Sequence, residues 1–157
     1  MISKQLAAML EEQIGWELKA SNHYLATAAY FASNDLDGWA KAFYAQSEEE
    51  REHALKIVKF LIDTSTPFNI PAVSAAETRF ESALEACQKA LTSEQAVTAQ
   101  FKRMAQVALS EGDYVGFQFL QWFLDEQVEE EALMGKYISL IESGINLFQA
   151  EEFLSEE

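Results

Sequence analysis

Residues 39–60 read WAKAFYAQSEEEREHALKIVKF, and this stretch decides the fold. Apolar residues recur along it in steps of three and four, which places their side chains on one face of an α-helix. Near the middle of that face the apolar pattern gives way to a carboxylate and an imidazole, Glu50 and His53, about one helical turn apart. The whole predicted stripe is Trp39, Phe43, Gln46, Glu50, His53, Ile57 and Phe60.

Three other stretches have the same pattern, and a glutamate interrupts each stripe. Their members are Leu10, Ile14, Glu17, Ser21, Tyr24, Ala28 and Phe31; Phe80, Leu84, Cys87, Leu91, Glu94, Thr98 and Phe101; and Leu120, Phe123, Gln127, Glu130, Met134, Tyr137 and Ile141. Facing stripes form a core, so the interrupting glutamates and Glu50 should point inward. Four ionised carboxylates can be buried only if cations or protons neutralise them. The sequence therefore predicts a cationic centre.

Turn signals divide the chain into helices. The first helix should run from a cap at Ser3 to residue 33, and the second from the turn at 34–38, where Asp37 can cap it, to about residue 63. Residues 64–76 contain both prolines and predict an extended connection. A third helix over 77–110, a short turn at 112–113, a fourth helix to about residue 143 and a short amphipathic helix over 145–154 follow.

Two short turns and one long connection predict two antiparallel helix pairs. The expected fold is all-α: a four-helix bundle with one long crossover and a short fifth helix, in a single domain over residues 1–157. With a turn at residue 35, Glu17 lies 18 residues before it and His53 lies 18 after it. The same count relates Glu94 and Glu130 to a turn at residue 112. At a rise of about 1.5 Å per residue, each pair should meet at one level.

Composition limits the chemistry and the partners. Four carboxylates and one imidazole are a hard and borderline ligand set, which suits iron or manganese better than structural zinc. The single cysteine, Cys87, excludes a disulfide framework and a cysteine-based zinc or iron–sulfur site. The formal charge of −15 argues against nucleic acid or an anionic membrane as a partner and favours cations, although acidity can also serve solubility alone. No leader-like segment or membrane-spanning stretch is visible in the sequence, so a cytoplasmic protein is expected.

The motifs that carry these residues resemble those of the prokaryotic non-haem ferritins. The resemblance rests on Glu17 with Tyr24, on Glu94, and on the runs Glu49-Glu50-Arg51-Glu52-His53 and Glu126-Gln127-Val128-Glu129-Glu130. It implies a ferritin-like fold and a di-iron centre in which one iron is held by Glu17, Glu50 and His53, and the other by Glu50, Glu94 and Glu130. Such a centre is a ferroxidase, which oxidises Fe(II) with O2 or H2O2. The resemblance also implies that 24 subunits assemble into a hollow shell that stores a ferric oxide mineral.

The resemblance also implies roles around the di-iron centre. Gln127 would lie beside the ligands and orient water or oxygen, and Tyr24 would supply an electron during oxygen reduction. A third iron site would use Glu49, Glu126 and Glu129. No haem is expected, because the haem-ligating methionine of bacterioferritin is missing, with Arg51 and Glu52 following Glu50.

Two departures and two alternatives accompany this interpretation. Phe117 and Leu120 stand where animal ferritins place the acidic residues of their three-fold channel, so the resemblance leaves the route of iron access open. The segment after Gly144 is short, which leaves the four-fold contacts of a shell open. A stress protein that consumes peroxide is one alternative function. A non-catalytic acidic scaffold or cation buffer is the other.

Overall fold

The computed structural model describes residues 2–154 as a helical bundle, with no strand in that range. Its long helices are α1 (Lys4–Ser33), α2 (Asp37–Asp63), α3 (Ala83–Ser110) and α4 (Tyr114–Glu142). A single turn, α5 (Leu147–Ala150), and a 3-10 turn over Glu151–Phe153 follow. The predicted fold class is confirmed, with a fifth helix shorter than the predicted 145–154. Within residues 2–154, no helix is both long and apolar enough to cross a membrane.

Two tight turns pair α1 with α2 and α3 with α4, antiparallel in each case. Asp35 in the first turn has φ 61° and Gly112 in the second has φ 67°. Both residues therefore adopt the left-handed backbone conformation, which lets the chain reverse its direction. Residues 64–82 form the crossover between the pairs. It packs on α1 at Gly15, where a Cβ atom would lie 3.1 Å from Pro71 Cβ, so glycine leaves room for the proline ring.

Helix α3 begins six residues later than predicted, at Ala83 instead of residue 77. Ser82 has extended backbone angles and its side chain accepts a hydrogen bond from Glu85 N at 3.0 Å, while Glu85 Oε1 accepts one from Glu81 N at 2.9 Å. This reciprocal arrangement resembles a capping box and fixes the helix start. Phe80, which the sequence placed on the helix stripe, instead lies in the crossover and packs edge-on against Tyr30 with a centroid distance of 5.5 Å.

The predicted capping role of Asp37 is wrong. Leu36 is the N-cap of α2 and its side chain makes no capping hydrogen bond, while Asp37 is the first helical residue. The carboxylate that serves this end comes from the C-terminal segment: Glu151 Oε2 accepts hydrogen bonds from Gly38 N at 2.7 Å and Trp39 N at 3.2 Å. A carboxylate satisfies exposed N–H groups and matches the positive end of the helix dipole. The sequence gives no local signal for a cap 113 residues away.

The buried apolar residues form two separate clusters, one toward each end of the bundle. The first contains Tyr24, Phe31, Trp39, Phe43 and Met134 among others. The second is built on residues such as Leu10, Ile57, Met104, Phe101 and Phe123. Between the two clusters along the helices lie the buried polar side chains Glu17, Glu50, His53, Glu94, Gln127 and Glu130. The apolar cores thus hold the helices together on both sides of a polar layer.

Candidate metal centre

Five ionisable side chains from four helices are almost completely removed from solvent in the polar layer. The exposed fractions are 0% for Glu17, 1% for Glu50, 3% for His53, 2% for Glu94 and 4% for Glu130. The prediction that the stripe glutamates point inward is confirmed. On every helix, residues of the two apolar cores flank the polar layer, among them Ile14, Ile57, Ala90 and Met134, and this packing fixes the level at which the five side chains meet.

The first group of ligand atoms lies between α1 and α2. His53 Nδ1 is 3.2 Å from Glu17 Oε1 and 3.2 Å from Glu50 Oε2. One ligand atom from each of these three residues lies within 4.8 Å of the others, a spacing that one metal ion can span. Gln13 Nε2 donates a hydrogen bond to Glu17 Oε2 at 2.8 Å, which orients that carboxylate from the side opposite the histidine.

The second group lies between α2, α3 and α4. Ligand atoms of Glu50, Glu94 and Glu130 also lie within 4.8 Å of one another. Glu94 is held by two donors: Tyr24 Oη donates to its Oε2 at 2.5 Å, and Gln127 Nε2 donates to its Oε1 at 3.1 Å. Glu50 belongs to both groups, so the structure places one carboxylate between two candidate metal positions.

A third group is found beside the other two, with a composition that differs from the expected one. Glu49 and Glu126 come together with Glu130, not with Glu129. Glu129 is exposed and belongs to none of the ligand groups within residues 2–154. It does line a cavity of about 770 Å³ between α2 and α4, which Glu49, Glu126 and Glu130 also line. Glu126 Oε2 also lies 3.7 Å from His53 Nε2. The third group therefore shares a residue with the centre.

Burial and mutual repulsion change the proton affinity of these carboxyls. Burial raises the pKa of Glu50 well above its usual range, and the nearby carboxylates of Glu17 and Glu94 raise it further. Burial, with Glu94 and Glu49, raises the pKa of Glu130 to about 9. Burial also raises the pKa of Glu94, although the hydrogen bonds from Tyr24 and Gln127 oppose this. Without a cation, burial and repulsion therefore favour the protonated forms of these carboxyls.

The pKa of the histidine is also raised, but for an imidazole this favours the charged form. Burial lowers the pKa of His53, but its hydrogen bond to Glu17 and the negative charges of Glu17, Glu126 and Glu49 outweigh burial and raise it. A carboxylate-rich surrounding that favours an imidazolium also favours a metal cation in the same place, since both interactions are with positive charge.

Several buried oxygens in this region have no hydrogen-bond donor among residues 2–154: Gln46 Oε1, Glu50 Oε1, Gln127 Oε1 and Glu130 Oε2. All four are acceptors, and an acceptor buried without a donor is unfavourable. A cation, or a water molecule bound to one, satisfies such a set. The donor chemistry of the site therefore fits iron, which takes carboxylate and imidazole ligands.

Comparison with known proteins agrees with this geometry. The model of the family described as "Ferritin-like domain" matches residues 7–143. The chain belongs to the ferritin-like family. Ferritin BfrB of Mycobacterium tuberculosis is 44% identical over 151 residues, which cover 96% of this chain and 83% of that protein. Bacterial non-heme ferritin of Staphylococcus aureus is 39% identical over 141 residues, 90% of this chain and 85% of the relative.

Solved structures give the same result for this ferritin-like chain. The open pore ferritin of the hyperthermophilic archaeon Archaeoglobus fulgidus superposes with a TM-score of 0.94 at 28% identity, and all of both chains is covered. The predicted resemblance to prokaryotic ferritins is confirmed by these relatives.

The two residues at the positions of the channel acids of animal ferritins are apolar and pack inward. Phe117 and Leu120 both pack with the second apolar cluster, and Leu120 is fully buried.

Some polar residues near the centre were not predicted as part of it. Gln46 donates from Nε2 to Glu49 Oε2 at 3.0 Å, and Thr98 contacts both Gln127 and Glu131. A signal for two of them was present, because Gln46 and Thr98 are polar residues on otherwise apolar stripes. Glu131 carries no such signal, since it lies beside the stripe in a chain that is acidic throughout.

Proposed function

We propose that this protein is an iron-storage ferritin with ferroxidase activity. Two Fe(II) ions are its substrate: one binds to Glu17, Glu50 and His53, and the other to Glu50, Glu94 and Glu130. They are oxidised to Fe(III) by O2 or H2O2, and the product is stored as a ferric oxide mineral. The observation that carries this proposal is the pair of buried ligand groups that share Glu50.

The electron count explains why two adjacent positions are useful. Two Fe(II) ions together supply two electrons, which with two protons convert O2 to H2O2, or H2O2 to two water molecules. Burial raises the pKa of the Glu50 carboxyl and raises that of Glu130 to about 9, which favours their protonated forms when no cation is bound, and a bound cation displaces those protons. The same groups therefore supply charge neutralisation before binding and negative ligands afterwards.

Tyr24 and Gln127 act beside the ligands in this proposal. Burial and the charge of Glu94 raise the pKa of Tyr24 well above its usual range, so the phenol stays protonated and hydrogen-bonded to Glu94 Oε2. Loss of one electron from Tyr24 can therefore be accompanied by transfer of its proton to that oxygen. Gln127 keeps a free carbonyl oxygen in the buried layer, which can accept a hydrogen bond from a water molecule at the centre.

The third ligand group is proposed as a transit position for iron. Glu130 belongs to it and to the second group, so an ion can pass between the two without losing that ligand. Glu49, Glu126 and Glu129 line the cavity between α2 and α4, through which iron can reach or leave the centre. This proposal retains the three sequence-predicted residues, with Glu129 at the exposed rim of the cavity and not in the ligand group.

The relatives support the larger context of the proposal. Ferritins of bacteria share 39–44% of their residues with this chain, which supports assembly into a 24-subunit shell without haem in the cytoplasm. The mass of the assembly by light scattering tests the shell, and the absorption spectrum of the purified protein tests the absence of haem.

Anaerobic titration with Fe(II), followed by mixing with O2 or H2O2 in a stopped-flow instrument, tests the ferroxidase. The expected result is saturation at two tightly bound ions per subunit and fast formation of Fe(III). Glu50→Ala should lose both, whereas Glu48→Ala, an exposed neighbour on the same helix, should behave as the parent protein. Fast oxidation in Glu50→Ala would reject the assigned centre. A strong preference for H2O2 with little mineral would instead favour the peroxide-consuming alternative.

A further inference from the structure

A continuous line of hydrogen bonds leads from the candidate centre to the side of the bundle. Gln127 Nε2 lies 3.1 Å from Glu94 Oε1 and 3.2 Å from Thr98 Oγ1. Thr98 Oγ1 in turn lies 2.6 Å from Glu131 Oε2. Glu131 is half-buried, so the line joins a carboxylate near the surface to a carboxylate of the buried polar layer.

The chemistry of the neighbours fixes which way the Gln127 amide faces. Its Nε2 is also 3.2 Å from the main-chain oxygen of Glu94, so Glu94 presents only acceptors on that side. The amide nitrogen must therefore face Glu94 and Thr98, and the carbonyl Oε1 must point away from them. That carbonyl is buried and has no donor among residues 2–154, which leaves it available to the centre.

The Thr98 hydroxyl has one proton and two acceptors within reach. Glu94 O is 3.0 Å away, the usual contact of a helical threonine with the carbonyl four residues earlier. Glu131 Oε2 is closer, at 2.6 Å, and it is a carboxylate, so it attracts the proton more strongly. With its proton directed to Glu131, Thr98 offers its own lone pair to one amide hydrogen of Gln127, which leaves the other amide hydrogen for Glu94, whose Oε1 lies at 3.1 Å.

We propose that Thr98 and Glu131 are positioning residues for the candidate metal centre, acting on Glu94 through Gln127. Glu131 orients the Thr98 hydroxyl, Thr98 fixes the Gln127 amide, and Gln127 holds Glu94 Oε1 in place for the second ligand group. This inference rests on the proposed function, because it assigns a role in ion binding. The inference applies only to the metal position that Glu94 helps to form, since neither Glu17 nor His53 takes part in the hydrogen bonds that link Glu131, Thr98, Gln127 and Glu94.

Selective binding of Co(II), measured without oxygen by calorimetry and visible absorption, tests the proposal. The His53→Ala variant keeps the group of Glu50, Glu94 and Glu130, whereas the Glu94→Ala variant keeps the group of Glu17, Glu50 and His53. Adding Thr98→Val to His53→Ala should weaken Co(II) binding roughly 10-fold, the scale found for residues that orient metal ligands. Adding it to Glu94→Ala should leave the remaining affinity unchanged. Valine has nearly the same shape as threonine, so packing is preserved.

Conservative variants separate orientation from general structural damage. Thr98→Ser keeps the hydroxyl and should restore binding, and Glu131→Gln keeps an acceptor oxygen and should bind as the parent does. Glu131→Ala should weaken binding at the Glu94 position about threefold, since the threonine proton then returns to Glu94 O. Thr92→Val, at an exposed position of the same helix, is the matched control.

The outcomes distinguish this inference from the proposed function. If the parent protein binds no Co(II) at either position, the proposed function fails. If the parent binds two ions and Thr98→Val weakens neither position, or weakens both equally, the positioning role is refuted. Equal loss in Thr98→Ser and Thr98→Val would also refute it, because the hydroxyl would then be irrelevant.

Discussion

Replacing Glu130 by glutamine should stabilise the metal-free protein at neutral pH while weakening its hold on metal ions. In the unfolded chain the pKa of this carboxyl is near 4.5, and in the fold it is about 9. Between these values the folded protein binds a proton that the unfolded chain does not, so stability falls as pH rises. Below pH 4.5 both states are protonated and the penalty disappears.

The magnitude follows from the distance between the working pH and the unfolded pKa. Each unit corresponds to about 1.4 kcal/mol, so at pH 7 a raised pKa costs roughly 3 kcal/mol of folding free energy. Glutamine has almost the same size and cannot ionise, so Glu130→Gln should recover at most about that amount. For a chain of this length the corresponding rise in melting temperature is roughly 6–12 °C.

Thermal unfolding followed by circular dichroism, in a chelating buffer at pH 5.5 and at pH 8, measures this effect. The parent protein should be less stable at pH 8, and Glu130→Gln should reduce that difference. Glu48→Gln, which also removes one charge but from an exposed position, should leave the difference intact. The reasoning would be refuted if the parent protein were equally stable at both pH values. It would also be refuted if Glu130→Gln had a lower melting temperature than the parent protein at pH 8.

Three further predictions follow from contacts described above. Glu50→Ala should slow Fe(II) oxidation roughly 100-fold or more in stopped-flow absorbance while light scattering shows an unchanged assembly, because the shared ligand is lost. Tyr24→Phe should keep its ring packing but abolish any transient tyrosyl signal in electron paramagnetic resonance during oxidation; persistence of the signal would assign it elsewhere. Anaerobic Fe(II) affinity should rise from pH 6 to pH 8 by about tenfold per pH unit for each proton released from the buried carboxyls, and a flat profile would contradict the raised pKa of Glu130.

The bundle and most of its centre could be predicted from the sequence because both depend on helical periodicity. Glu17 and His53 were assigned to one level by counting residues to the turn, and their side chains are 3.2 Å apart. The inward direction of Glu94 and Glu130 follows from the stripe that each shares with apolar residues of its helix, such as Leu91 and Phe101 for Glu94 and Phe123 and Met134 for Glu130. Periodicity is a local property, and for these residues it also determines the three-dimensional position.

Features that depend on contacts between distant segments could not be predicted in this way. Glu151 caps α2 although 113 residues separate it from Gly38, and the sequence instead favoured the adjacent Asp37. Glu129 and Glu130 point about 100° apart on the same helix, and only the packing of α4 against α2 shows that Glu130 is the one that meets Glu49. The role of Thr98 depends on Glu131 from another helix. Its polarity alone does not reveal that partner.

The separation of the apolar core into two clusters bears on whether the fold depends on bound ions. Each cluster buries its own aromatic and aliphatic side chains, so neither end of the bundle needs a bound ion to hold its helices together. A subunit built in this way can keep its fold whether the polar layer between the clusters holds ions or protons.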